Sequence, residues 1–520
     1  MTVIGAYCVS VMKDQCLNAA IPGKCATCAE VCPYGVYTLD RDGQMTVQNY
    51  NACVGCRICA EFCPENAIRI NPAEPEHIVR APWTLEAVEE IHYKAQTGQY
   101  MLRGFGTVGP VPHFDAITIV PSQLASPPPL DKYREECNTE VIIGEETCEK
   151  PIRLQYPMMW AAMSFGALSK EAKMALAIAA ARCGIATNTG EGGLLKEETY
   201  LTRGYENPER TIKRWEPGGA LVVQWSTGRW GVSADYARAG DAVEVKIGQG
   251  AKPGMGGHLL GAKVTKEVAA VRGLPPGTDA LSPCRYYDVR SLEDMKHMVA
   301  FLRDVTDYQV PILMKLGPSR PYEDVRAAAE AGVDAISLDG MAGGTGCSPA
   351  VVTQGVGIPT IACIPPAVRA LKDLGLHRQV KLFALGGIRN GLDVYKAIAM
   401  GADGVAFGAA AEIAMGCRAC MACHLGRCPY GITSQDPRLR ARLDPEQAGE
   451  RLANFIEATA EELKMLVMLS GHDDIKDLGE EDLRALDINT AAITGLKLAG
   501  YERRLPWWEE AHQVLPDNQN

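Results

Sequence analysis

Two groups of closely spaced cysteines have the most definite chemistry in this chain. Of nineteen cysteines in 520 residues, nine lie within the first 63 residues and four within 417–428. Disulfide-dense frameworks are typical of small secreted domains. A chain of this length that begins without a basic and then apolar leader is not expected to be one. The spacing instead predicts iron–sulfur clusters, and a redox protein.

The segment 53–64 reads C-x2-C-x2-C-x3-C-P, the cysteine run of bacterial ferredoxins. Three close thiolates hold one cluster, and the cysteine before proline binds the other cluster of the pair; a zinc site is the alternative. The upstream run, 25–33, has Pro22 where its first cysteine is expected. We expect Cys16 to complete that cluster, with Cys8 as the next candidate and a three-iron cluster as the other outcome. The expected ligands are Cys16, Cys25, Cys28 and Cys63 for the first cluster and Cys32, Cys53, Cys56 and Cys59 for the second.

The second cysteine group follows a predicted strand directly, and its spacing is C-x2-C-x2-C-x4-C-P. It predicts a third iron–sulfur cluster, with a zinc knuckle as the alternative. The expected ligands are Cys417, Cys420, Cys423 and Cys428.

Short apolar runs alternate with helical patterns through the middle of the chain, which is typical of parallel βα units. Eight such runs over about 260 residues predict an α/β fold, a (β/α)8 TIM barrel. An open doubly wound sheet is the alternative. The strand candidates are residues 153–164, 185–189, 221–226, 242–247, 311–316, 335–339, 381–385 and 404–408.

Changes in composition divide the chain into four parts. We expect a ferredoxin-like iron–sulfur domain at 1–70 and a proline-punctuated linker that wraps the barrel at 71–150. The barrel is expected at 151–434, with a long insertion over its mouth at 248–290. A mostly helical C-terminal extension is expected at 435–520.

Glycine clusters follow the last three predicted strands, and glycine lets backbone N–H groups approach a phosphate closely. Since barrel phosphate sites form after strands seven and eight, these clusters predict a flavin mononucleotide site. Lys246 and Lys315 end the fourth and fifth strands, where fixed cations would stabilise an anionic reduced flavin; surface ion pairs are the alternative. The glycine-cluster residues are Gly343, Gly344, Thr345, Gly346, Gly386, Gly387 and Gly408.

The insertion is rich in glycine and cations, which suits a loop that closes over a small anion. Lys252, His258, Lys263 and Arg272 are candidates for binding a dicarboxylate, with Arg272 as a fork for one carboxylate. The alternative is a solvated basic loop.

Composition excludes several classes of function. The net charge of −11 favours neither nucleic-acid nor anionic-membrane binding, and no apolar run reaches the ~18 residues of a membrane span. No G-x-G-x-x-G follows a strand, so a nicotinamide site is not expected. We expect a cytoplasmic protein, since cluster thiolates survive in a reducing compartment.

With these residues in view, the chain resembles glutamate synthases of the archaeal type, in which the FMN-binding synthase domain carries a fused ferredoxin domain with two 4Fe–4S clusters. The resemblance covers about 100–440. It rests on the segments MSFGALSKEA (163–172), TGEGG (189–193), KIGQGAKPGMGGH (246–258), SPCRYYDVRSLEDM (282–295), GGTGCSP (343–349), GGIRNGLDVYKAIAMGADGVAFG (386–408) and CHLGRCPYGITSQDP (423–437).

The resemblance implies FMN at the barrel mouth, an iron–sulfur cluster beside it, and reductive amination of 2-oxoglutarate with ammonia. It implies three-iron ligands at Cys417, Cys423 and Cys428, while Cys420 leaves a four-iron cluster open. It places Lys246, Lys252 and Arg272 at positions that contact FMN or 2-oxoglutarate, and Ser164 and Gly166 at the flavin. His258 and Met255 replace a glutamine and a glutamate of better-known members, and MKLGPS at 314–319 replaces VKLVSE.

Thr2 follows Met1 where large members carry a cysteine that hydrolyses glutamine, so we expect a separate glutaminase subunit as the ammonia source. Ferredoxin or a reductase subunit is expected to supply electrons. Two other functions stay open. One is an enzyme like N-methylglutamate synthase that uses methylamine or acts on another amino or oxo acid. The other is a flavin and iron–sulfur electron-transfer subunit.

Overall fold

The computed structural model describes residues 7–72, 84–124, 127–129, 131, 135–207, 212–213, 215–501 and 504. Part of the predicted linker, including the first and last residues of SPPPL at 126–130, therefore falls in gaps between the described residues.

Eight short parallel strands close into a barrel in chain order, and the last strand pairs with the first. Each predicted strand is present, so the barrel prediction is confirmed and the open sheet is wrong. Most strand residues are buried on both faces, as expected for parallel strands covered by helices. The strands are β1 (Met158–Trp160), β2 (Ala186–Asn188), β3 (Ala220–Trp225), β4 (Ala242–Lys246), β5 (Ile312–Leu316), β6 (Ala335–Asp339), β7 (Lys381–Leu385) and β8 (Gly404–Phe407).

Helices surround the barrel, and several begin at a serine or asparagine whose side chain caps the first turn. Ser169, for example, accepts a hydrogen bond from the backbone N–H of Ala172, which satisfies a donor at the helix start. The barrel helices are Lys170–Cys183, Lys196–Thr202, Ala234–Ala239, Leu292–Val305, Pro321–Glu330, Ala350–Gly355, Thr360–Asp373, Gly391–Ala399 and Ala409–Ala414.

The insertion after β4 lies over the C-terminal ends of the strands, as predicted. It contains two paired strands, His258–Leu259 and Ala280–Leu281, with a turn of 3-10 helix (Gly261–Lys263) and a helix (Lys266–Arg272) between them. Its backbone is tied to the barrel where Gly250 N–H donates to the Asp339 carboxylate at 2.9 Å.

The N-terminal residues form a small module built around the first nine cysteines. Strand Tyr7–Val11 pairs antiparallel with Ile68–Pro72, and a hairpin pairs Tyr37–Leu39 with Met45–Val47. Short helices carry the cysteine runs between these strands. They are Leu17–Ala20, Thr27–Val31, Ile58–Glu61 and the 3-10 turn Tyr50–Ala52.

The segment between module and barrel runs across the barrel's mouth and side. Its strand Leu102–Phe105 pairs with Thr345–Pro349, which follows β6, and Ile117–Ile119 pairs with Leu483–Ala485 near the C-terminus. The predicted helix within 84–96 is present as Leu85–Thr97.

Most of the C-terminal part is helical, and its long helix Pro445–Leu469 packs against Lys170–Cys183 and Gly391–Ala399. Within the described ranges, no helix is both long and apolar enough to cross a bilayer. The remaining elements are Phe114–Ala116, Val141–Ile143, Ile152–Leu154, Tyr205–Asn207, Ile212–Lys213, Cys423–Leu425, Pro437–Arg440, Ile475–Asp477, Glu480–Asp482 and Ile488–Thr494.

Candidate functional site

A cavity of about 590 Å³ opens at the C-terminal mouth of the barrel, beneath the insertion. This volume lies within the usual range of small-molecule sites, roughly 300–1,000 Å³. All but one of the residues predicted for flavin and substrate line it. Those that do are Ser164, Lys246, Lys252, His258, Lys263, Arg272, Lys315, Gly343, Gly344, Thr345, Gly346, Gly386, Gly387 and Gly408.

Gly166 is the exception, and it lies behind the cavity wall. A Cβ at this position would be 2.9 Å from Leu259 Cδ2 and 3.4 Å from Arg272 Nη2, and its φ of +102° disfavours other residues. Gly166 therefore allows the insertion to pack closely on the loop after β1, and does not face the cavity.

Two lysines stand side by side at the floor of the cavity, because β4 and β5 pair in register at Lys246 and Lys315. Lys246 Nζ lies 2.6 Å from a Glu191 carboxylate oxygen, and Lys315 Nζ lies 3.1 Å from Asp339. Burial lowers the pKa of Lys315, but Asp339 and Glu244 outweigh it, so that pKa is raised. Lys315 therefore stays cationic at neutral pH.

Lys252, from the insertion, is only 1% exposed. Its Nζ donates to the carbonyl oxygen of Cys347 at 2.5 Å, and no carboxylate of the described residues lies within ion-pair distance. Burial and then Lys246 lower the pKa of Lys252 to about 8. A lysine of this kind can bind an anion or donate a proton near neutral pH.

Arg272 ends the helix Lys266–Arg272 and is 3% exposed. One of its terminal nitrogens, Nη2, donates to the Ser164 hydroxyl at 3.1 Å and to the Phe165 carbonyl at 2.8 Å, while the guanidinium lies over the Trp230 ring. Burial lowers its pKa to about 10, partly offset by Glu191. The side chain is a fixed cation that lines the cavity, and its Nε has no hydrogen-bond partner among the described residues.

His258 is half-buried at the cavity edge. Burial and then the nearby cation of Lys252 lower its pKa, while Asp279 acts in the opposite direction. The imidazole is therefore neutral at pH 7, and it can donate or accept one hydrogen bond. Met255, the other replacement in this loop, does not line the cavity.

Close backbone packing shapes the cavity wall after β7. A Cβ at Gly386 would lie 2.7 Å from the Gly340 carbonyl oxygen, and the φ of +96° also requires glycine. Two buried polar atoms beside the cavity, Glu191 Oε1 and Arg272 Nε, have no hydrogen-bond partner among the described residues. This space, an unpaired acceptor at Glu191 and an unpaired donor at Arg272 fit a polar cofactor such as FMN.

Several lining residues escaped the sequence interpretation because they come from distant segments. His113 belongs to the predicted linker, and its Nε2 lies 2.7 Å from the carbonyl oxygen of Gly387. Glu191 follows β2 within a glycine-rich turn. Lys263, by contrast, was predicted to bind a dicarboxylate and does line the cavity, but its Nζ donates to the carbonyls of Ala167 (2.8 Å) and Cys423 (3.4 Å), on the side of the barrel cysteines.

The four barrel cysteines converge next to this cavity, with thiols that are buried or half-buried. Burial raises the pKa of Cys417, and Glu412, Cys428 and Cys420 raise it further. Ala419 and Met421, on either side of Cys420, adopt left-handed backbone conformations with φ of +51° and +59°. Such conformations are unfavourable for these residues, and they belong to a loop that turns the Cys420 thiol towards the others.

Among the module cysteines, Cys16 and Cys25 lie near Cys28. Burial raises the pKa of Cys28 to about 12, and Cys25 and Cys16 contribute to the rise, so Cys16 lies with this set. Cys8, the other candidate, is exposed on the first strand.

In the second set, burial and then the nearby thiol groups of Cys32 and Cys53 raise the pKa of Cys59, although a hydrogen bond from Tyr37 opposes the rise. All nineteen cysteines are free thiols, so each group offers the soft thiolate donors that iron–sulfur clusters require.

Comparisons with known proteins agree with this geometry. The model of a conserved region in glutamate synthase matches residues 123–473, and a 4Fe-4S dicluster domain matches 23–68. A glutamate synthase large subunit-like protein of Rhizobium meliloti (strain 1021) is 43% identical over 79% of this chain and 93% of its own length. The archaeal-type glutamate synthase (NADPH) of Thermotoga maritima is 37% identical over 93% of this chain and 94% of its own length.

Among solved structures, that of a mandelate oxidase superposes with a TM-score of 0.42 at 20% identity, covering 70% of this chain and 86% of that one. A likeness at this level supports no conclusion about the site. The family match extends over most of the chain, and the relatives are matched along nearly their whole length. The chain therefore belongs to the glutamate synthase family.

Proposed function

We propose that this chain is the catalytic subunit of a glutamate synthase, which forms glutamate from 2-oxoglutarate and ammonia at bound FMN. One observation carries the proposal. Three buried cations, Lys246, Lys252 and Arg272, line a single cavity in the part of a TIM barrel where active sites form, and a group of four thiols lies beside it. A dianionic substrate and a redox cofactor both suit this arrangement.

FMN, when bound, supplies the hydride for reduction of the imine formed from the oxo acid and ammonia. The residues proposed to hold it are the loops after β6, β7 and β8 with Ser164, while Lys315 and Lys246 place fixed positive charge near it. Preorganised cations in a water-poor site stabilise negative charge strongly.

The proposed substrate contacts come from the insertion. Arg272 offers a planar fork suited to one carboxylate of 2-oxoglutarate, and Lys252 offers a buried ammonium for the other. With a pKa of about 8, Lys252 Nζ can also donate the proton that leaves with the hydroxyl group when the oxo acid condenses with ammonia. His258, neutral at pH 7, contributes a hydrogen bond at the cavity edge.

The remaining cofactors are three iron–sulfur clusters. We assign two 4Fe–4S clusters to the module, with Cys16 as a ligand of the first. Because Cys420 joins the other barrel thiols, we assign a 4Fe–4S cluster to the barrel group and not a three-iron one.

The organisation proposed here keeps the four parts of the chain at 1–70, 71–150, 151–434 and 435–520. The proposed partners are ferredoxin or a reductase subunit as electron donor and a separate glutaminase subunit as the source of ammonia. A cytoplasmic location suits reduced thiolates.

The function is tested with the FMN-loaded protein under anaerobic conditions. The flavin is reduced with limiting reductant, 2-oxoglutarate and ammonium are added, and flavin absorbance and glutamate are followed. We expect reoxidation with one glutamate formed per flavin. A flavin that stays reduced with this pair would refute the proposal.

A second candidate function differs in the amine that the enzyme uses as substrate. The half-buried His258, in place of a glutamine, changes the polar group at the cavity edge. Repeating the reoxidation with methylamine tests it, since preference for methylamine over ammonium would identify an enzyme like N-methylglutamate synthase. A flavin reoxidised by no oxo acid and amine would instead favour an electron-transfer subunit.

A further inference from the structure

The N-terminal module contacts the barrel through the same segments that carry the cysteines. The hydroxyl of Tyr430, two residues after Cys428, donates to the backbone carbonyl of Cys56 at 2.8 Å and to the Glu61 carboxylate at 2.9 Å. Arg418, next to Cys417, also binds Glu61. The second cysteine set of the module therefore lies against the barrel set.

A third contact joins the other side of this interface. Arg442 Nη1 donates to the carbonyl oxygens of Val31 and Pro429, each at 3.1 Å. Val31 precedes Cys32, and Pro429 follows Cys428 in the chain. The Arg442 guanidinium thus holds a cysteine-bearing segment of the module next to one of the barrel.

Tyr34 lies between the two cysteine sets. Its hydroxyl oxygen is buried and has no hydrogen-bond partner among the residues that the structure describes. The groups around it are Cys56 of the module and Cys420, Cys423 and Cys428 of the barrel. The phenol O–H is a hydrogen-bond donor close to thiols of both sets, and no described residue accepts its proton.

We infer that Tyr34 donates a hydrogen bond to the sulfur of one of the two facing clusters and is a positioning residue for electron transfer from the module's second cluster to the barrel cluster. The direction of transfer rests on the proposed function; the position of Tyr34 does not. In each step the module cluster is oxidised by one electron and the barrel cluster is reduced by one, with no bond made or broken. The electron comes from the external ferredoxin or reductase.

A hydrogen bond to a cluster sulfur favours the more negative, reduced form and raises the reduction potential. Removing it should therefore lower the potential of the cluster that accepts it. A typical hydrogen bond corresponds to about a tenfold change in the one-electron equilibrium constant, which is ~59 mV. A merely structural tyrosine would leave both potentials unchanged.

The test uses the full-length, cluster-loaded protein without substrate, so that its result is independent of the catalytic assay. Tyr34→Phe keeps the ring and removes only the hydroxyl. Tyr50→Phe is the matched control, because Tyr50 lies in the same module but is 54% exposed. Iron content is measured first, followed by redox titration monitored by electron paramagnetic resonance.

We expect Tyr34→Phe to retain its iron, to lower the potential of one of the two facing clusters, and to slow reduction of the barrel cluster after rapid mixing with reductant. Unchanged potentials in Tyr34→Phe, or an equal shift in Tyr50→Phe, would overturn the inference.

If Tyr34→Phe fails to hold iron, the unmodified protein is examined by electron paramagnetic resonance instead. Two reduced clusters that face each other across this interface should broaden each other's resonance signals. Resonance signals without such broadening would refute the proposal that the two clusters face each other.

Discussion

The affinity for 2-oxoglutarate should fall at alkaline pH, because the cavity contains a lysine that loses its proton near pH 8. Lys252 is almost completely buried, has a carbonyl oxygen as its hydrogen-bond partner, and lies near the cation of Lys246. Burial and this neighbour lower its pKa from 10.5 to about 8. Its charge, and with it the attraction for a dicarboxylate, is present below pH 8 and is lost above it.

The size of the effect follows from the titration. The cationic fraction of a group with a pKa of about 8 falls from roughly nine-tenths at pH 7 to roughly one-tenth at pH 9, so the apparent Kd rises about tenfold. A lysine with the ordinary pKa would remain charged, and the Kd would hardly change over this range. The two cases are readily distinguished.

The assay is equilibrium titration of the oxidised FMN-loaded protein with 2-oxoglutarate, followed through flavin absorbance between pH 6.5 and 9.5. Lys252→Met removes the charge while keeping most of the volume. Loss of a hydrogen bond to a charged group should weaken binding at pH 7 by roughly tenfold to a hundredfold, and the tenfold pH dependence should disappear. Lys476→Met, at an exposed position, is the control and should bind as the unmodified protein does.

Two other lining residues titrate in the same range, so the variant is essential. Burial lowers the pKa of Lys263 to about 8, and burial raises that of Glu412 to about 7. If Lys252→Met binds weakly but keeps the full pH dependence, one of these groups is responsible and the reasoning about Lys252 is refuted. A flat Kd in the unmodified protein would refute it as well.

Three further predictions concern the neighbouring groups. Arg272→Lys should raise the oxo-acid KM by roughly tenfold or more while FMN absorbance is retained, because the two-pronged contact is lost; unchanged saturation would remove Arg272 from the site. Cys423→Ser should lose the barrel cluster alone, about four of about twelve irons per chain. Cys420→Ser should lose about one iron from that cluster, and retention of all iron in Cys420→Ser would favour a three-iron cluster. Lys246→Met should destabilise the barrel by about 3–5 kcal/mol, because Glu191 is left buried and unpaired. Adding Glu191→Gln should restore much of the lost unfolding free energy, as measured by denaturant unfolding. Equal unfolding midpoints for the single and double variants would contradict this.

The fold was predictable because its signals are local. Eight apolar runs, each followed by a helical pattern or a glycine-rich turn, fit parallel βα units whatever their neighbours are. The position of Lys246 and Lys315 at the barrel mouth was predictable as well, since a lysine at the C-terminal end of a barrel strand faces the mouth. Gly166 was predicted to contact the flavin but lies behind the cavity wall. The sequence indicates that glycine is needed at this position, but it does not show which side chains pack against it.

The sequence alone determined the cysteine motifs, the barrel and the presence of a cationic insertion above it, because each depends on spacing within one segment. Only the tertiary structure decided which groups share an environment. It placed His113 from the linker in the cavity at the barrel mouth, Glu191 against Lys246, and Tyr34 between cysteines more than 360 residues apart in the chain. The physical reason is that burial and neighbouring charge determine what a side chain can do, and both arise only when distant segments pack together.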